Sequence, residues 1–314
     1  MSRFMRERRI AVRLVLLLFL LAVLVTIPHY LPSYVVAFLF LLLMYTSLAQ
    51  GWDILGGYTG YLNLGYSMFF GISAYIFAYG IVYGFHPGLS LLMGTAAATL
   101  FALALSFPLF RVRGAYFALT SFGIIILLRI VISNLEILGG NIGEPLPPSP
   151  LLYAYYGALA IAVAASLTKY RLAKSKLGMA LASIREDEEA AAGLGVRIFR
   201  CKLVAFTISA VFSGLMGSVY LMYTNYIDPH LVFGLDVTLL PVVMAMLGGS
   251  GTVLGPLIGV VVIMVLEEFI WTMTPYLHLA MYGAIFVIVG IFLPHGIMGL
   301  RHSRVFLRFR KGGG

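Results

Sequence analysis

The chain has 314 residues, of which 61% are hydrophobic and only 11% charged, and its mean hydropathy is +1.00. Soluble domains carry about 45–50% apolar and about 25% charged residues, so this composition excludes a single water-bathed core and predicts a protein that lives in lipid. A formal charge of +9 would point to nucleic acid in a soluble protein, but here the bases are placed as orientation signals; one cysteine, Cys201, and six scattered histidines exclude a disulfide framework and leave no metal-ligand set.

Apolar runs bounded by Gly, Pro, Asn and charge predict membrane-spanning helices over 11–27, 33–50, 62–83, 89–110, 115–133, 151–168, 203–223, 235–249, 254–270 and 278–294. The expected fold class is therefore all-α, a polytopic membrane protein of about ten transmembrane helices in a single domain over residues 1–314. The first run follows a basic stretch, as a cleaved signal would, but it has no A-x-A site and is read as a retained helix.

The bases fix an orientation. Arg3, Arg6, Arg8, Arg9 and Arg13 precede or open the first span, Arg111 and Arg113 separate the fourth and fifth, and Arg301, Arg304, Arg308, Arg310 and Lys311 form the tail. Lys169, Arg171, Lys174, Lys176, Arg185, Arg197, Arg200 and Lys202 fill the connection after the sixth span. Basic residues collect on the cytoplasmic side, so both termini and the 169–202 connection are expected there, which requires an even number of spans. Glu136, Glu144, Asp228, Asp236, Glu267 and Glu268 then mark an acidic outer face. The outer connection 134–150, rich in Gly and Pro, reads as a surface loop.

Polar groups inside spans are the default candidates for a translocation path: Asn63, Tyr116, Thr120, Arg129 and Asp236, although Arg129 could snorkel and Asp236 could be interfacial. Ser209, Ser213 and Gly217 recur every four residues in the seventh span, a face suited to close helix packing. Two glycine clusters, Gly56, Gly57 and Gly60 after the second span and Gly248, Gly249 and Gly251 after the eighth, read as turns near a gate on the cytoplasmic side, or as ordinary tight turns at the membrane surface.

The cytoplasmic connection holds a short amphipathic pattern. Leu177, Leu181, Ile184, Ala191 and Leu194 recur at three- and four-residue spacing, with Ser175 placed as an N-cap and Gly195 as a stop, so one helix over 175–195 is expected. Arg185, Glu186, Asp187, Glu188, Ala190, Ala191, Gly193 and Gly195 are its candidate docking residues, small ones allowing close approach and charged ones facing water. A solvated interfacial helix explains the same pattern.

Here the sequence resembles a known family. Ser183-Ile-Arg-Glu-Asp-Glu-Glu-Ala-Ala-Ala-Gly-Leu-Gly-Val196 is similar to the coupling loop of ABC importer permeases of the branched-chain amino acid type, LivM-like rather than LivH-like. Arg111-Val-Arg-Gly-Ala-Tyr-Phe-Ala-Leu-Thr-Ser-Phe-Gly123, Gly56-Gly-Tyr-Thr-Gly-Tyr-Leu-Asn-Leu-Gly65 and Leu247-Gly-Gly-Ser-Gly-Thr-Val-Leu-Gly-Pro256 resemble three further family segments, and Leu293-Pro-His-Gly-Ile-Met-Gly-Leu300 fits its end. The resemblance implies a transport subunit, not an enzyme, in a cell membrane. It implies two separate ATP-binding subunits that carry ATP and Mg, a LivH-like sister permease or a second copy, and an extracytoplasmic substrate-binding protein.

No G-x-x-x-x-G-K-[ST] occurs, so no ATP phosphate site is expected on this chain and no cofactor is assigned to it. Urea or short-chain amides remain open as alternative cargo. A secondary transporter would be expected to place paired acids at mid-membrane, and a membrane-embedded enzyme a nucleophile–base or metal set in a span; neither pattern is read here.

Overall fold

Long apolar runs free of charge become long helices. The computed structural model describes residues 19, 21–136, 139–273 and 296–298. After a 3-10 turn at Ile27–His29 come α1 (Ser33–Thr59), α2 (Ser67–Val82), α3 (Pro87–Leu109), α4 (Ala115–Ser133) and α5 (Leu151–Ala173). Two short helices follow, α6 (Lys176–Glu186) and α7 (Glu188–Gly193), then α8 (Ile198–Thr224), the single turn α9 (Pro229–Val232), α10 (Leu235–Gly248) and α11 (Gly255–Met273). The all-α expectation holds apart from a two-residue antiparallel pair, β1 (Glu144–Pro145) with β2 (Tyr226–Ile227), which pins the 134–150 connection to the segment after α8.

Six segments among the described residues are long and apolar enough to cross a bilayer: α1, α3, α4, α5, α8 and the run Pro229–Gly248. Ser67–Val82 is apolar but shorter. The described residues thus support a polytopic helical membrane protein without reaching the expected count of ten. The predicted span 278–294 lies outside the described residues, and 11–27 does so except for residues 19 and 21–27.

Three boundaries are corrected. α1 does not stop near residue 50 but runs to Thr59, so Gly56 and Gly57 lie inside a helix rather than in a turn. Glycine costs a helix only about 1 kcal/mol, and α1 is buried on every side from Leu43 onward, so packing outweighs propensity. The span expected from 62 begins at Ser67, leaving 60–66 non-helical. The helix expected over 175–195 is two helices, broken where the Asp187 carboxylate turns from helix interior to cap and accepts the amides of Glu189 and Ala190.

α1 is the axis of the bundle, touching α5, α8, α10 and α11, while α2 packs between α3 and α8. Small residues set these distances. Ser209, Ser213 and Gly217 are all buried as the four-residue spacing predicts, and the Ser213 hydroxyl donates to the Tyr66 carbonyl at 3.0 Å. α4 fully buries only Phe117, Ala118, Ser121 and Ile125, with Ile124, Leu128 and Ile132 packed partly against the core, and about half of its residues are exposed.

Candidate functional site

One end of the bundle gathers the C-terminal end of α1, the 60–66 segment, α6, α7 and the 249–254 turn. The helix ends bring carbonyls and amides there that lipid cannot satisfy, and charged side chains satisfy them. Asp53, in the last two turns of α1, pairs with Lys169 of α5 at 2.5 Å, and neither side chain has any exposed surface. The same carboxylate accepts the Gly251 amide, at 3.1 Å on Oδ1 and 2.9 Å on Oδ2. Gln50, one turn earlier, donates to the Val253 carbonyl at 3.0 Å. One face of α1 therefore holds the 249–254 turn by side chains alone.

Glycine is required at this contact. A Cβ on Gly57 would run into the Asp53 carboxylate and stand 2.5 Å from the Gly251 nitrogen, and Gly251 itself has φ of +78°, which side chains disfavour. Arg185 of α6 donates from Nη1 to the Gly57 carbonyl at 2.7 Å, beside Gly251. α6 is thereby joined to the same knot.

A second cluster fastens α7. Lys202 of α8, 2% exposed, donates to Glu188 Oε1 and to the Tyr61 hydroxyl, both at 2.6 Å, and Tyr61 donates to Glu188 Oε2 at 2.8 Å. Burial pushes the Glu188 carboxyl up, but the hydrogen bonds from Lys202 and Tyr61 and the charges of Lys202 and Arg113 outweigh it and hold the group below its ordinary range. Arg113 lies 3.8 Å from Glu188 and 3.9 Å from Glu189 at the exposed rim.

The structure sorts the candidate docking residues into two sets. Glu188 and Ala191 face inward, and Arg185 reaches back to α1; these hold the two helices in place. Glu186, Glu189, Ala190, Gly193 and Gly195 are exposed, with Met179 and Leu194 standing out beside them at 64% and 84% exposure. Asp187 is exposed too but is spent on its cap. Ser175 caps α6 as expected, accepting the Gly178 amide at 3.1 Å, and Gly195, at φ +86°, ends the pair.

The glycine clusters meet across the Asp53 contact. Gly56 and Gly57 are buried within α1, Gly60 caps it in the left-handed region at φ +75°, Gly248 closes α10, and Gly249 and Gly251 form the turn. The path candidates are not brought together. Asn63 is fully buried, its Oδ1 accepting the Gly65 amide at 2.9 Å and its carbonyl the Trp52 indole. Tyr116 and Thr120 face away from the bundle, Arg129 is half-buried further along α4, and Asp236 is exposed in the first turn of α10.

Sequence reading missed Asp53, Lys169, Lys202 and Tyr61. Lys169 and Lys202 read as orientation charges at span ends, and the structure shows both buried in ion pairs. The available signal was Asp53, a carboxylate flanked by Trp52 and Ile54 in an apolar run, which marks a functional candidate inside a membrane helix.

A bundle of membrane-length helices carrying two short helices on a charged end is a polytopic helical membrane protein. The family described as the branched-chain amino acid transport system permease component matches residues 34–290, and the chain belongs to that family. It is 29% identical over 307 residues to the high-affinity branched-chain amino acid transport system permease protein LivM of Escherichia coli, covering 85% of this chain and 71% of that protein. The protein of the same name from Salmonella typhimurium is 30% identical over 305 residues, covering 85% and 70%. No solved structure matches the chain. The family read from the four motif segments is thus the family found.

Proposed function

We propose that this chain is the translocating subunit of an ATP-driven importer for branched-chain amino acids, driven through α6 and α7 by separate ATPase subunits. The observation that carries the reading is the pair of short helices, outwardly exposed at Glu186, Glu189, Ala190, Gly193 and Leu194 yet bonded inwardly by Arg185 and Glu188. A surface built to be pushed needs both properties. The family match and its named relatives supply the cargo.

In this mechanism the α6–α7 end faces the cytoplasm with both termini, and two ATP-binding subunits grip it. ATP closes the pair of subunits, and the displacement passes from Arg185 to the end of α1 and, through Asp53, to the 249–254 turn between α10 and α11. A sister permease of the LivH kind, or a second copy, forms the other half of the passage. A binding protein delivers the substrate on the far side.

Copurification of the tagged chain tests this directly: ATPase subunits and a second permease should come with it, and leucine should stimulate ATP hydrolysis in the reconstituted complex. Glu186→Lys with Leu194→Asp should release the ATPases while membrane insertion persists. Retained ATPases and unchanged transport would overturn the coupling assignment. Asp187 is left intact in this variant because its loss would unmake the α7 cap.

A further inference from the structure

Residues 60–66 join α1 to α2 without being helical, and they do so inside the bundle. Tyr61, Asn63, Gly65 and Tyr66 are buried, so their backbone groups need partners that lipid cannot supply. Side chains of other helices provide them. Trp52 of α1 donates to the Asn63 carbonyl at 2.9 Å, Ser121 of α4 accepts the Leu64 amide at 3.1 Å, and Ser213 of α8 donates to the Tyr66 carbonyl. The segment starts where the Tyr61 hydroxyl meets Lys202 and ends at Ser213, roughly 16 Å further along α8. It therefore climbs from the α6–α7 end into the middle of the bundle.

α4 is fastened through this segment. It is the least buried of the six long apolar segments, and two of its buried residues rest here. The Phe117 ring meets Tyr61 edge-on at 5.0 Å, and Gly65 lies so close to Ser121 that a Cβ would stand 2.6 Å from the Ser121 carbonyl oxygen. The same Tyr61 donates its hydroxyl to Glu188 of α7. Three motif segments of the sequence, 56–65, 111–123 and 183–196, thus meet around one side chain. Gly114, which leads into α4, has φ of +58° and open space around its Cβ position, a joint that only glycine adopts freely. One donor is left over: Asn63 Nδ2 is buried with no acceptor among the described residues, which favours a second, better-bonded arrangement of the segment.

We propose that residues 60–66 are a strap that carries movement of α7 to α4. Glu188 draws on Tyr61, the strap shifts along α8, Leu64 takes Ser121 with it, and α4 swings about Gly114. Tyr116 and Thr120 are exposed on that helix, so two of the path candidates ride on the span that moves. α4 moves most readily because displacing it uncovers the least buried surface. The proposal rests on the importer reading and adds a second route to it, separate from the one through Arg185 and Asp53.

The test uses the complete transporter in nanodiscs, with Cys201→Ser and spin labels at Tyr83→Cys after α2 and Asn134→Cys at the far end of α4, both exposed positions. An ATP analogue that closes the ATPases should shift the label separation in the otherwise unaltered chain. Ser121→Ala and Tyr61→Phe each remove hydrogen bonding from the strap, and each should keep less than half of that shift while ATPase subunits still copurify. Equal shifts in all three chains, or no shift in the unaltered one, overturn the strap. Loss of ATPases from every chain sinks the importer reading instead, and the strap is then read without nucleotide, from hydrogen exchange in α4. Glu188→Gln should speed that exchange in the unaltered chain and add nothing in a chain that carries Ser121→Ala, whereas additive effects overturn the strap.

Discussion

Lys169 and Asp53 meet at 2.5 Å with no exposed surface on either side chain, one at the end of α5 and the other at the end of α1. Each is the other's compensation in a region where neither charge has water. Breaking such a pair from one side leaves a stranded charge and costs about 3–5 kcal/mol, whereas replacing both partners with apolar groups is close to neutral.

Asp53→Asn and Lys169→Met should therefore each lower the thermal unfolding midpoint in nanodiscs strongly. Asp53→Leu combined with Lys169→Met should recover most of the lost stability. The combined variant should still transport poorly, because the Gly251 amide has lost its acceptor. Additive losses in the pair would refute mutual compensation.

Glu188 gives the α7 attachment a pH dependence. Its carboxyl titrates below the ordinary Glu range in the folded protein, so the unfolded segment takes up its proton at higher pH than the folded one. The stabilisation is complete above the ordinary value of about 4.5 and is lost as pH falls through the lowered folded value. Hydrogen exchange of the α7 amides, corrected for intrinsic rates, should show constant protection above the ordinary Glu range and a progressive loss as pH falls below it. Glu188→Gln should flatten that profile at the lower level.

Asp187→Ala should remove the α7 cap and cost about 1 kcal/mol locally. The amides of Glu189 and Ala190 lose their acceptor and should exchange faster, while those of α1 and α8 keep their protection. Unchanged exchange at both amides would show that the break between α6 and α7 has another cause.

Two glycines in the sequence motifs should answer oppositely to alanine. A methyl on Gly57 collides with Asp53 and Gly251, so Gly57→Ala should destabilise by several kcal/mol or prevent folding. Gly193 has open space around its Cβ position, and Gly193→Ala should leave stability unchanged or raise it by up to about 1 kcal/mol. Comparing unfolding midpoints of the two purified variants separates a packing glycine from an exposed one.

Much of this was legible in the chain because lipid simplifies the code. Spans at 89–110, 115–133 and 151–168 stand out by apolar length alone and coincide within a few residues with α3, α4 and α5, and the small-residue spacing of Ser209, Ser213 and Gly217 marks the packed face of α8. The Ser175 cap was visible because capping is local. What escaped depends on partners far away in sequence. Nothing next to Lys169 announces Asp53, and glycine-rich stretches such as 56–60 look like turns until tertiary contacts show which belong to a buried helix. The docking face was half legible: composition marked the segment, but only the fold divides inward Glu188 from outward Glu189.

The Asp53–Lys169 pair has a consequence for how the protein is made. Its basic half is made 116 residues after its acidic half (169 − 53), so at about 5–20 residues per second α1 waits roughly 6–23 s with its carboxylate uncompensated. Over that interval the α1 carboxylate has neither Lys169 nor the Gly251 amide to meet, so α1 carries a desolvation cost that falls only when later segments arrive.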